Sequence, residues 1–171
     1  KEDSRDAIVE ACEALATQLR DQCYGKESLR VHVDKRDLGG GVKKWEWVKK
    51  GVPLRVEIGP RDLEGGKVCF QRRDQTPNEK SFISQEEFLL GVVEIIEDIH
   101  TSLLDRARRF RDENIAECTD LADFEKHWED SNPNPGWLVT PWAGTREEEE
   151  EISKRLKITI RCLPIDCQDE P

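Results

Sequence analysis

The sequence predicts an α/β fold, a mixed sheet flanked by helices, followed by a small α+β appendage. Three observations carry that expectation. Short apolar runs separated by Gly-rich turns fill residues 31–74. One helical stripe of apolar residues follows from Ser84, and Asn132-Pro133-Asn134-Pro135-Gly136 breaks the chain before a second set of short elements. Strand, crossover helix, strand is the pattern of an open α/β sheet with ligands at its loop ends. The expected division is 1–115 and 116–171.

Taken in order, residues 4–23 read as an amphipathic helix, with Ile8, Ala11, Cys12, Leu15 and Leu19 at helical spacing and Asp3 or Ser4 as N-cap. Residues 29–33 (LRVHV) alternate like a strand and enter a loop through Gly39-Gly40-Gly41. Residues 42–50 form a short basic helix, stopped by Gly51 and Pro53. Residues 52–58 are a strand with Leu54, Val56 and Ile58 on one face and Arg55 and Glu57 on the other. Gly59-Pro60-Arg61-Asp62 turns the chain into a third strand at 67–72.

Ser84 with Glu87 three residues on is a capping box, opening a long helix striped by Phe88, Leu89, Val92, Val93, Ile96, Ile99, Leu103, Leu104 and Phe110. Residues 114–119 read as a joint and 121–129 as a short helix. After the breaker, 137–142 is a strand candidate, 145–156 an acidic helix and 158–160 a last strand. The glutamates at 147–151 suit that helix's positive end, or simply form a solvated face.

Charge is unevenly spread. Residues 35–73 hold eleven Lys and Arg against five Asp and Glu, a net +6 in a chain of −10, which leaves −16 elsewhere. A basic window in an acidic chain is a candidate footprint for a polyanion, or a set of solvated loops. The acidic total argues against non-specific coating of DNA. No apolar run is long enough to cross a bilayer and the start shows no signal-peptide pattern. Six cysteines without a CxxC pair suggest reduced thiols in a cytoplasmic protein.

No active site is legible. His32, His100 and His127 are scattered, and no HExxH, nucleophile elbow or Walker loop occurs. The C-x4-C spacing of Cys162 and Cys167 suits no common metal motif.

The central stretch resembles a known family. VDKRD (residues 33–37) followed by KKWEWVKKGVPLRVEIGPRDLEGGKVCFQRRD (43–74) is similar to the anticodon-binding domain of class II prolyl-tRNA synthetases, of the type shared by archaea, eukaryotes and some bacteria. RARRFRDENI (106–115) and ITIRCLPID (158–166) resemble the next landmarks of the same enzyme, in order. The GVPLRVEIGPRDLE core distinguishes this family from the threonyl, glycyl and histidyl enzymes.

The resemblance implies that the domain grips the anticodon loop of tRNA(Pro) and reads its two guanines. Arg55 would offer bidentate donors to guanine O6 and N7, with Arg61 and Asp62 reaching a base edge and the carboxylate accepting from N1 and N2. Trp45 and Trp47 could stack on splayed bases. Lys43, Lys44, Lys49, Lys50, Arg72 and Arg73 would hold phosphates. Against this, Arg55 could merely pair with Glu57, and Trp47 could be core. The family's helix reads close to KFNEWELKG, so Lys44 stands where an aromatic is usual and Val48 where a glutamate is usual; Trp45 or Glu46 would compensate.

The family's C-terminal unit often carries four zinc-binding cysteines, whose first pair falls near Ala143 and Glu148 here, so zinc is not expected. The family's first strand and its catalytic domain, which uses ATP, magnesium and proline, have no counterpart in the sequence. The chain is therefore expected to be an inactive fragment of a homodimeric proline–tRNA ligase. The alternatives are a non-catalytic regulatory or accessory paralogue and, more remotely, a small-ligand module with a closed apolar pocket.

Overall fold

Helix α1 (Glu2–Arg20) forms because its apolar residues recur on one face, and that face buries Leu15, Ala16 and Leu19. The computed structural model describes residues 2–128 and 134–161, with side chains from Arg5 onward. The helix starts at Glu2, so the expected cap at Asp3 or Ser4 falls inside its first turn instead.

A two-residue turn then joins β1 (Cys23–Tyr24) to β2 (Glu27–Ser28), a small hairpin the sequence did not announce. The expected strand at 29–33 is corrected. Leu29 and Val31 pack against the core, but no ladder forms. Its local bonds run back to the α1 end, Leu29 N to Gln22 O at 2.9 Å and Arg20 Nη2 to Val31 O at 3.0 Å. Strand α2-crossover strand is thus not the architecture; a cleft of about 960 Å³, lined by Ile8, Val31, Leu54 and Val56 among others, lies here.

Helix α2 (Gly40–Lys49) ends at Gly51, whose φ of 74° closes the turn in a region where a Cβ would be strained. Strand β3 (Leu54–Glu57), short helix α3 (Pro60–Glu64), β4 (Lys67–Arg72) and β5 (Ser81–Ser84) follow. The turn expected at 59–62 is the N-terminus of α3, with Pro60 at its first position, where the missing N–H costs nothing. The sheet runs β3-β4-β5 with antiparallel pairing throughout, and β5 was not foreseen.

The capping box at Ser84 is present. Glu87 N donates to Ser84 Oγ at 3.1 Å, and Ser84 N donates to Glu87 Oε2 at 3.0 Å. It starts α4 (Gln85–Glu113), which buries Phe88, Val92 and Ile99. Phe88 and Val92 join Leu15, Leu19, Val68 and Phe70 in the core cluster; a fully buried side chain of this kind contributes about 1.5–3 kcal/mol. The expected stripe does not stay buried along the whole helix: Leu104 and Phe110 are exposed.

Two compact units divide between Arg106 and Ala107, within α4. In the second, the expected joint is a strand, β6 (Ile115–Glu117), paired in parallel with β7 (Trp137–Val139). Gly136 has φ 64°, and a Cβ there would lie 2.3 Å from Asn114 O, so the approach of β7 to β6 requires glycine. Helix α5 (Leu121–His127) is capped by Asp120, and α6 (Arg146–Leu156) by Thr145 with Glu148. Residues 158–160 form no strand. Asn132, Pro133, Cys162 and Cys167 lie outside the described residues.

Candidate nucleic-acid interface

The basic window is organised by a residue the sequence reading passed over. Asp34 accepts from Arg36 Nε at 2.9 Å and Nη2 at 2.8 Å, and from the Trp47 indole at 2.8 Å. Arg36, then Trp47, hold its carboxyl well below the ordinary range although burial pushes the other way. Lys43 Nζ donates to Asp34 O at 3.1 Å. Arg36 also reaches Glu46 at 2.7 Å, and the two carboxylates raise its pKa further. The loop after residue 33 is thereby clamped to one side of α2. The only sequence signal was an Asp two residues before an Arg.

That clamp sorts the α2 residues. Lys43 and Glu46 are tied into it. Trp47 is half-buried, 4.8 Å from the His32 ring, with Lys50 Nζ 4.2 Å from its ring centre, a cation–π contact. Trp45 is 52% exposed and, with Gly41, Val42, Glu46 and Lys49, lines a shallow depression. Lys44 donates to Asn78 Oδ1 at 3.2 Å, joining α2 to the loop after β4.

The sheet sorts the rest by alternation. Leu54, Val56, Val68, Phe70 and Ile83 face the core. Arg55, Glu57, Cys69, Gln71 and Phe82 therefore share the outer face, with Arg55 opposite Gln71 and Glu57 opposite Cys69. The expected alternative, an ion pair of Arg55 with Glu57, does not form; Glu57 bonds Lys80 at 2.8 Å. Burial lowers the Arg55 pKa, with Glu57 opposing, and its Nε has no hydrogen-bond partner.

Arg61 is exposed on α3, and Asp62 Oδ2 caps that helix by accepting from Gly59 N at 2.9 Å. Arg73 bonds Gly51 O at 3.3 Å and ties the α2 end to β4. Arg72 lies on the opposite side, held by Asp74 at 2.7 Å and Asp98 of α4 at 2.6 Å. Both carboxylates are met there, so Arg72 is an internal tie and not an open phosphate donor. Gln71, buried on the outer face, and Phe82, 58% exposed there, were not singled out; nothing in a lone Gln or Phe marks them. Among the described residues no group of three or more His, Cys, Asp or Glu could hold a metal ion.

Residues 1–95 match the sequence model of a family described as "Anticodon binding domain". The chain is 52% identical over 165 residues to a proline–tRNA ligase of Akkermansia muciniphila, covering 96% of the chain and 32% of that protein. A proline–tRNA ligase of Protochlamydia amoebophila is 41% identical, with 92% and 32% covered. Among solved structures, a prolyl-tRNA synthetase of Cryptosporidium parvum, complexed with L-proline and AMP, superposes with a TM-score of 0.69 at 27% identity, over 89% of this chain and 28% of that one. The chain thus spans about a third of the length of the curated relatives it matches.

Proposed function

Because this chain belongs to the family of anticodon binding domains, we propose that it recognises the anticodon of tRNA(Pro) within a proline–tRNA ligase. The observation that carries the reading is Arg55: a guanidinium on the outer sheet face that makes no ion pair among the described residues, has an unpartnered Nε, and shares a cleft with Lys43, Lys44 and Trp47 of α2. Arg55 is the reader of guanine O6 and N7, the commonest bidentate contact an arginine makes with a base. Arg61 reaches the second guanine, and Oδ1 of Asp62, the oxygen that does not cap α3, accepts from it. Trp45 is the stacking platform. Lys44, Lys49, Lys50 and Arg73 meet phosphates. Lys43, Glu46 and Arg72 act one step back, by holding the loop, α2 and β4 in place.

In the longer protein this recognition selects the tRNA. Formation of prolyl-adenylate from ATP and proline, with magnesium, and transfer to tRNA fall to other residues. For the whole protein we propose a cytoplasmic homodimer with tRNA as its partner. No helix among the described residues is long and apolar enough to cross a bilayer.

The test is fluorescence anisotropy with a proline anticodon stem-loop and a copy whose two guanines are replaced by adenines, each at two salt concentrations. The expected result is at least about tenfold weaker binding of the altered RNA, with both affinities falling as salt rises. Equal binding reduces the chain to a backbone contact. No binding by a folded chain favours the accessory paralogue.

A further inference from the structure

Two buried polar atoms of the outer sheet face lack a partner: Nε of Arg55, a donor, and Oε1 of Gln71, an acceptor. They are complementary, and they belong to residues directly opposed in the β3–β4 ladder. Opposed side chains on one face start from Cβ atoms about 4.5–5.5 Å apart, within reach of an Arg and a Gln. Gln71 is only 1% exposed, and its Nε2 is committed to Pro77 O at 3.2 Å, which fixes the amide and leaves Oε1 open. Glu57, the other acceptor on this side of β3, is engaged by Lys80. Adjacent buried orphans of opposite kind point to a state in which they meet.

Resting on the reading of Arg55 as the guanine reader, we propose that Gln71 is its positioning residue. In the RNA complex Gln71 Oε1 accepts the Arg55 Nε–H, which fixes the guanidinium plane and presents Nη1 and Nη2 together to O6 and N7. Gln71 itself touches no RNA. Its contribution is to discrimination between bases, not to attraction for the phosphate backbone.

A double-mutant cycle on the 171-residue chain tests this, read as the ratio of dissociation constants for stem-loops without and with the two guanines. Gln71→Met, which keeps length and removes both polar atoms, should lower that ratio about five- to tenfold, a coupling within the range found between contacting residues. Gln71→Glu, which keeps an acceptor, should retain most of it, and Gln71→Met should add nothing in the Arg55→Ala background. Should Gln71→Met fail to fold, Gln71→Asn, which withdraws both atoms by one methylene, should show the same drop. An equal loss for both RNAs, or a full effect of Gln71→Met without Arg55, would make Gln71 merely structural and overturn the proposal. If Arg55→Ala abolishes discrimination while Gln71→Met and Gln71→Asn leave it intact, only the role of Gln71 fails. If Arg55→Ala leaves the ratio unchanged, the reading of Arg55 fails as well.

Discussion

The two faces of the β3–β4–β5 sheet are made from alternate residues of the same strands, yet they do opposite things. One face carries Leu54, Val56, Val68, Phe70 and Ile83 against α1 and α4, and even its one arginine, Arg72, is closed off by two carboxylates. The other carries Arg55, Glu57, Cys69, Gln71 and Phe82, keeps two polar atoms unpartnered, and exposes an aromatic ring. The first face spends its residues on stability; the second leaves interactions unmade. Native structures satisfy buried polar groups wherever nothing else is required of them, so the contrast marks the outer face as the working one.

Substitutions on the two faces should therefore separate stability from binding. The largest effect belongs to the core. Phe88→Ala removes a fully buried ring and should cost about 3–5 kcal/mol in urea unfolding, with base discrimination unchanged in whatever fraction stays folded. Next is Asp74→Asn, which removes one of the two carboxylates that hold Arg72 and should cost about 1.5–3 kcal/mol.

The same pair sets an acid limb. Arg72 holds the Asp74 carboxyl below its ordinary range, so its stabilisation is complete above an unfolded pKa of about 3.9 and is lost as pH falls through the lowered folded value. Thermal unfolding scanned from pH 7 to pH 2 should show that loss in the parent chain and a flatter limb in Asp74→Asn.

Arg55→Ala reverses the pattern. Discrimination between stem-loops should fall by about 10- to 100-fold, the worth of one bidentate base contact. Stability should move by less than about 0.5 kcal/mol, because no hydrogen bond or ion pair is removed. Smallest is Ser84→Ala, which loses the α4 cap, about 1 kcal/mol by chemical denaturation, and leaves RNA binding alone.

Much of this was legible in local sequence. The α4 cap needed only Ser84 and Glu87, the alternation of β3 and β4 needed only period two, and the stop of α2 needed only Gly51. What failed was pairing and partnership. Residues 29–33 have the alternation of a strand, but a ladder requires a neighbouring strand, and none pairs with them among the described residues. The joint at 115–117 is a strand because Trp137–Val139 reaches it from twenty residues away. Arg72 and Lys43 read as open cations because the sequence does not show Asp98 or Asp34 beside them. Gln71 matters only through the residue opposite it, a relation fixed by register.

The most direct test of the division between faces is the 1H–15N spectrum of the labelled chain as the proline anticodon stem-loop is added. The account predicts shifts concentrated at residues 44–50, Arg55, Arg61 and Gln71, with the amides of Phe88, Val92 and Ile99 unmoved. Shifts on α4 with a silent outer face would contradict it.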